Sequence, residues 1–215
     1  MSTSGTKYKD RYEFKEALAA QGYKWLGGGY YSTVYSKPGG NSVVKVGPAN
    51  DAWPLYIGWA LRKGYAGTFA PAVTSLRFYN LGQREAFYVA EMEKLEALYF
   101  RHRWQDQARK EHGALMGNCR YLKRTEEIEK TVPKWGKFVR DLRKFRRTSD
   151  LGKIKYDAHS DNWMVRKDGS LVLTDPFSGE ASRKGTHSAK RTAQRYTSAP
   201  SLGSEKNNVG TLQHA

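Results

Sequence analysis

At 215 residues and 24.4 kDa, the chain is long enough for one solid domain or for two small lobes sharing a cleft. Its 39% hydrophobic and 13% aromatic content excludes disorder throughout, and a single cysteine excludes an intramolecular disulfide framework. A formal net charge of +16 favours encounter with nucleic acid, nucleotides and acidic proteins, but it identifies no fold.

No apolar run approaches the roughly 18 residues a bilayer span needs. The N-terminal "MSTSGTKYKDRYEF" has no apolar core of the signal-peptide kind. The expectation is a soluble cytoplasmic protein without membrane contact, in which Cys119 is a small core residue of a reducing compartment.

In chain order, Tyr12 to Gln21 reads as a short helix, with Phe14 and Leu18 on one face and Gly22 as its stop. Tyr23 to Val46 then reads as three strands, turning at Gly27–Gly29 and at Lys37–Asn41. Pro48 and Pro54 frame a break, and Leu55 to Gly64 predicts a helix. Ala72–Asn80 and Glu85–Met92 are two further strands. From Glu93 to Thr148 the pattern is charged and helical. Its clearest helix places Trp135, Phe138, Val139, Leu142 and Phe145 on one face behind Pro133. The opposite face carries Lys137, Arg140, Arg143, Lys144, Arg146 and Arg147, most simply a solvated face. Trp163–Val165 and the run ending at Asp175 flank Asp168-Gly169, a strong hairpin signal. Beyond Ser178 large apolar residues almost vanish, so about the last thirty residues are expected to be extended or mobile, at least in part.

Several residues suit phosphoryl transfer, which needs backbone amides over phosphates, a cation for their charge, oxygen ligands for Mg²⁺ and a carboxylate at the acceptor hydroxyl. Gly27, Gly28 and Gly29 allow close backbone approach, although an isolated glycine triplet is more often a plain turn. Lys45 sits among valines in "SVVKV", where a buried ammonium needs a partner; an outward-facing lysine is the competing reading. Asp157 and Asn162 stand five apart in a loop before a strand, and Asp175 ends the next strand, eighteen beyond Asp157. Lone aspartates are commonly turn formers. Together, these carboxylates and the amide suit a hydroxyl-orienting and cation-binding set.

With those motifs in hand, the chain resembles the protein kinases. "LGGGYYSTVY" is similar to their Gly-rich loop, "VVKV" to their lysine strand, "YDAHSDN" to their catalytic loop and "TDP" to their Asp-Phe-Gly. "YVAEMEKL" resembles the hinge. The likeness is closest to the early serine/threonine protein kinases of short-tailed lytic bacteriophages, and it covers about Tyr23 to Ser178.

The resemblance implies an α+β, protein kinase-like fold, with an antiparallel-sheet N-lobe carrying one inserted helix and a reduced, mainly helical C-lobe. It divides the chain at 1–92, 93–178 and a basic tail, 179–215. It implies that Gly27 and Gly29 form the family's glycine pair, with Gly28 at the variable position between them. Val34, Glu91 and Met92 would lie near the nucleotide, and Lys45 would hold the ATP phosphates. Asp157 would position the acceptor hydroxyl, and Asn162 and Asp175 would bind Mg²⁺. His159 would contact the γ-phosphate or brace the loop.

The implied function is ATP-dependent transfer to serine and threonine of host proteins, such as transcription or RNA-processing machinery in the bacterial cytoplasm. Arg183-x-x-Thr186 and Arg195-x-x-Ser198 are candidate autophosphorylation sites, against the simpler reading of a disordered basic tail. Two alternatives stand beside this function: a small-molecule phosphotransferase, from the "D-x-H-x-x-N" form, and a degenerate kinase fold that binds nucleic acid or RNA polymerase. Some departures bear on the choice. No glutamate occurs between Val46 and Arg84, which leaves Asp51 as the acid available to Lys45. Tyr156 precedes Asp157 where many regulated kinases have arginine, Pro176 follows Asp175, and only about 40 residues remain after it.

Overall fold

The computed structural model describes residues 8–99, 102–117, 125–147 and 151–196. Helix α1 (Arg11–Ala20) begins at Asp10, whose carboxylate accepts from the Tyr12 and Glu13 amides. Five antiparallel strands follow: β1 (Lys24–Gly28), β2 (Thr33–Ser36), β3 (Ser42–Pro48), β4 (Val73–Tyr79) and β5 (Phe87–Glu93). They are ordered β1-β2-β3-β5-β4, with helix α2 (Ala52–Lys63) inserted between β3 and β4.

Strand alternation sorts the sheet into two faces. Val44, Val46, Phe87 and Val89 pack under Phe14 and Leu18 of α1. Val43, Leu76, Tyr88, Ala90 and Met92 face the main core, and Val34 packs against the same side.

Helix α2 starts three residues before the expected Leu55. Asp51 caps it, and Pro54 falls in the first turn, where a missing N–H costs nothing. It ends as expected at Gly64, which takes φ 71°.

The C-terminal part is richer in helix, and the whole is a mixed α+β architecture. A short strand β6 (Glu96–Ala97) leads to helices α3 (Asp106–Gly117), α4 (Thr125–Thr131) and α5 (Pro133–Arg146). Trp135, Phe138, Val139 and Leu142 are buried on α5 as the spacing predicts, and Phe145 is partly buried against the same core. The Trp135 indole N–H donates to the buried Glu111 carboxylate at 3.0 Å.

Strand β7 (Lys153–Tyr156) pairs with β10 (Phe177–Glu180), while β8 (Trp163–Val165) and β9 (Leu171–Leu173) form the expected hairpin. Arg166 ties that hairpin to the end of β5 through a two-pronged ion pair with Glu93 at 2.7 and 2.8 Å.

The start of the basic tail is helical. Residues Arg183–Tyr196 form helix α6, which packs along α2. Its buried face is made of small residues, namely Gly185, Thr186, Ala189, Thr192 and Ala193. They meet Gly58 of α2, where an added Cβ would already stand 3.4 Å from the Ala189 Cα. Close backbone approach replaces bulky side chains, so a hydropathy reading misses the contact. The same packing buries Thr186, whose hydroxyl donates to the Ser182 carbonyl, so this candidate phosphorylation site is not presented. Ser198 and Cys119 lie outside the described residues. No helix among the described residues is long and apolar enough to cross a membrane.

Candidate active site

Lys45 is the centre of the site. It lies mid-strand on β3, opposite Val34 of β2 and Ala90 of β5, and is 6% exposed. Buried there, the ammonium needs compensation. It donates to Asp175 Oδ2 at 3.0 Å and sits 4.5 Å from the centroid of the Trp53 ring.

The other partner considered, Asp51, takes a different post. Its Oδ1 accepts from the Trp53 amide at 3.3 Å to cap α2, and its Oδ2 accepts from the Tyr88 hydroxyl at 3.0 Å. Burial pushes the Asp51 carboxyl up, and the nearby Lys45 charge partly offsets the shift. Tyr88 fits there because Gly47 opposes it; a Cβ at Gly47 would stand 2.7 Å from the Tyr88 ring.

Helix α2 also fixes the chain on which Asp175 sits. The Trp53 indole N–H donates to the Thr174 carbonyl at 3.0 Å, and the Tyr56 hydroxyl to the Leu173 carbonyl at 2.7 Å. Trp53 stacks on Tyr88 at 5.4 Å. These positioning residues were not found in the sequence. Their available signal was a pair of aromatics at the start of an otherwise apolar helix, which also describes an ordinary core.

The Asp157 loop joins Asp175 through backbone. The Asp157 amide donates to the Pro176 carbonyl at 2.8 Å, just beyond the Tyr156–Phe177 pair of β7 and β10. The Thr174 amide and hydroxyl both donate to the Asn162 carbonyl, at 2.8 and 2.9 Å. The Asn162 side-chain amide donates to the Asp157 carbonyl, which leaves its own oxygen as an acceptor. Lys45, Asp157, Asn162 and Asp175 therefore belong to one connected group.

His159 lies within the same loop. Its Nδ1 accepts from the Asp161 amide at 3.3 Å, capping the 3-10 turn Ser160–Asn162, while its Nε2 lies 4.0 Å from Asp157 Oδ1.

Electrostatics single out Asp175. Burial pushes its carboxyl up to about 6; Lys45 works against that shift, while Asp51 and Asp157 add to it. Its second oxygen, Oδ1, is buried without a hydrogen-bond partner. An unsatisfied buried oxygen among three acids fits a cation-binding role. Among the described residues, no group of three or more His, Cys, Asp or Glu side chains forms a metal cluster. A cation here would instead rest on the Asp175 carboxylate and the Asn162 amide oxygen.

The glycine turn joins β1 to β2. Within it, Gly28 is the residue the local geometry requires, because a Cβ there would lie 2.9 Å from the Ser32 carbonyl oxygen. A Cβ at Gly27 or Gly29 would meet nothing within 4 Å, and none of the three takes a positive φ. The Gly29 amide is engaged by the Ser32 carbonyl at 3.0 Å.

Of the two β5 residues expected near the nucleotide, Met92 shares the sheet face of Lys45. Glu91 does not, because it points to the opposite face, with its carboxylate 3.5 Å from the Ser42 hydroxyl.

A family model described as bacteriophage T7 protein kinase 0.7 matches residues 2–195. A search of curated proteins finds no match. With nearly its whole length matched, and Lys45, Asp157, Asn162 and Asp175 gathered in one group, the chain belongs to the bacteriophage T7 protein kinase 0.7 family, with a protein-kinase-like fold and kinase-like enzymatic character.

Proposed function

We propose that this chain is an ATP- and Mg²⁺-dependent serine/threonine protein kinase, with the sheet as its N-lobe and the helical part as a reduced C-lobe. The observation that carries the reading is the Asp175 carboxylate. One oxygen bonds Lys45, the other is buried and unsatisfied, and two further acids act on it. Such a carboxylate is relieved by a divalent cation, which Asp175 and Asn162 would hold. Mg²⁺ bound there would neutralise charge on a polyphosphate.

The chain's own groups supply the rest. Lys45 presents an ammonium to phosphate oxygens and is held in place by Trp53 and Asp175. Val34, Ala90 and Met92, on the same sheet face, offer apolar surface to a nucleotide base. Asp157 accepts a hydrogen bond from the acceptor hydroxyl, orients its oxygen and takes the proton as the new bond to the γ-phosphorus forms and the bond from that phosphorus to the β–γ bridging oxygen breaks, with ADP leaving. His159 steadies this loop through Nδ1. The turn bearing Gly27–Gly29 covers the phosphates. The net charge of +16 suits acidic host proteins as acceptors, with transcription or RNA-processing machinery as the partner class.

The test is to incubate the protein with γ-labelled ATP, Mg²⁺ and bacterial lysate, and to hydrolyse the labelled material. Phosphoserine and phosphothreonine are expected, lost in Asp157→Ala and Lys45→Ala. Label confined to small molecules would move the reading to a small-molecule phosphotransferase, and no transfer at all would overturn it.

A further inference from the structure

Helix α6 reads "RKGTHSAKRTAQRY", with lysines and arginines along it and no aspartate or glutamate. Its small residues lie against α2, which leaves the cations on the outer side. Such a stripe is ordinarily a solvated face, and charge alone would name no ligand for it. The ground beside it is more specific.

Where α6, α2 and the end of α5 meet, the structure holds a cavity of about 270 Å³. Its floor is apolar, made of Leu55 from α2, Phe145 from α5 and Leu151 ahead of β7. Gly185 of α6 forms part of the wall, where an added Cβ would stand 3.0 Å from a Leu55 methyl. The polar groups around it include Arg62 of α2 and Ser188 and Arg191 of α6, and none of the lining residues is an acid.

Both arginines are exposed, so an occupant can reach them. Arg62 donates to the Thr192 hydroxyl at 2.6 Å, a neutral partner that leaves its charge uncompensated. Neither Arg62 nor Arg191 enters an ion pair among the described residues. An apolar hollow edged by unbalanced cations favours an occupant with an apolar body and negative charge beside it.

The cavity stands apart from Lys45. On α2, Trp53 is the residue against Lys45, and Leu55 lies two residues on, about 200° around the helix. An occupant would sit behind α2 and leave the candidate active site open.

We propose that this cavity is a docking site for substrate polypeptides, taking one large apolar side chain from a segment whose neighbouring residues are acidic. The apolar floor selects the anchor, and Arg62, Arg191 and the outer side of α6 select the charges beside it. The role rests on the protein-kinase reading above and gives the acceptor protein a second contact. A polypeptide is favoured over nucleic acid because the cations border a single hollow. A strand of bases needs repeated aromatic faces, and α6 has no aromatic residue before Tyr196.

The test is fluorescence anisotropy without ATP, using the full chain and a labelled peptide that holds a phenylalanine between glutamates. Binding should weaken as salt rises. It should fall about tenfold when glutamines replace the glutamates, and about tenfold when serine replaces the phenylalanine. Ser188→Trp fills the cavity and should weaken binding about tenfold, with transfer to a serine peptide lacking the docking segment kept. Arg191→Glu should weaken the glutamate peptide and bind a lysine-flanked counterpart more tightly, a gain that misfolding cannot produce. Equal binding of the three peptides would overturn the proposal, as would unchanged binding in both variants. A single-stranded RNA oligonucleotide that binds where the peptides do not, and is lost in Arg191→Glu, would overturn it in favour of nucleic acid. Joined through a flexible linker to a serine acceptor, the docking segment should lower KM about tenfold and leave kcat unchanged. Unchanged KM with transfer intact would overturn the docking role alone. No transfer to any acceptor would remove the kinase reading and the docking role with it.

Discussion

Lys45 and Asp175, 130 residues apart in the chain, meet at 3.0 Å between the five-stranded sheet and the segment that follows β9. The contact makes the lysine's counter-ion the same carboxylate whose other oxygen is unsatisfied. One side chain thereby links the buried Lys45 ammonium to the candidate cation ligand.

The first prediction concerns pH. The Asp175 carboxyl is raised to about 6 by burial, above its value in an unfolded chain. The native state therefore binds the proton more tightly. Its stabilising contribution is full below about pH 4 and is lost as pH rises through about 6. Mg²⁺ should restore stability only where the carboxyl is ionised. Thermal unfolding should show a higher Tm with Mg²⁺ at pH 7.5, no change at pH 4.5, and no change at either pH in Asp175→Asn.

A second prediction separates the cap from the catalytic set. Asp51→Ala removes the α2 cap and the acceptor of the Tyr88 hydroxyl, at a cost of about 2–3 kcal/mol in denaturant unfolding. Asp51→Asn can keep both contacts and should cost under about 1 kcal/mol. It should retain most phosphotransfer, because Lys45 is held by Asp175. A loss of transfer as deep as that of Lys45→Ala would make Asp51 the lysine's working partner instead.

The glycine turn gives a third. Gly28→Ala must displace the Ser32 carbonyl and should lower stability by about 1 kcal/mol or more. Gly29→Ala meets open space and should leave Tm unchanged while raising KM for ATP, if the turn covers phosphates. Equal ATP kinetics for wild type and Gly29→Ala would reduce the turn to a plain connector.

A fourth tests the α2–α6 contact. An alanine at Gly58 would make ordinary contact with Ala189, so Gly58→Ala should gain up to about 1 kcal/mol from helix propensity. Gly58→Leu must part the helices and should lose about 2 kcal/mol or more. A chain in which leucine is as well tolerated as alanine would show that α6 does not pack there in solution. Calorimetry of the three proteins decides it.

These contacts also mark how far the sequence could be read. The strands, the Asp168-Gly169 hairpin, the Gly64 stop and the apolar stripe of α5 follow from local periodicity and turn chemistry, and the structure has them. Helix α6 was missed because its buried face is glycine, alanine and threonine, which hydropathy treats as tail. The grouping of Lys45 with Asp157, Asn162 and Asp175 was expected from motif spacing. Its local bonds were not, since the indole contact of Trp53 to Thr174 depends on a meeting across 121 residues. Motif alone placed Glu91 near the nucleotide; its side chain stands on the sheet face opposite Lys45.

The most direct measurement is the rate of label transfer from ATP to a serine peptide at saturating Mg²⁺, for the wild type and Asp157→Asn. Both should be shown folded by circular dichroism. The account predicts a fall of about 10²–10⁴-fold in kcat, with little change in KM for ATP. Transfer by Asp157→Asn within threefold of the wild type would contradict it.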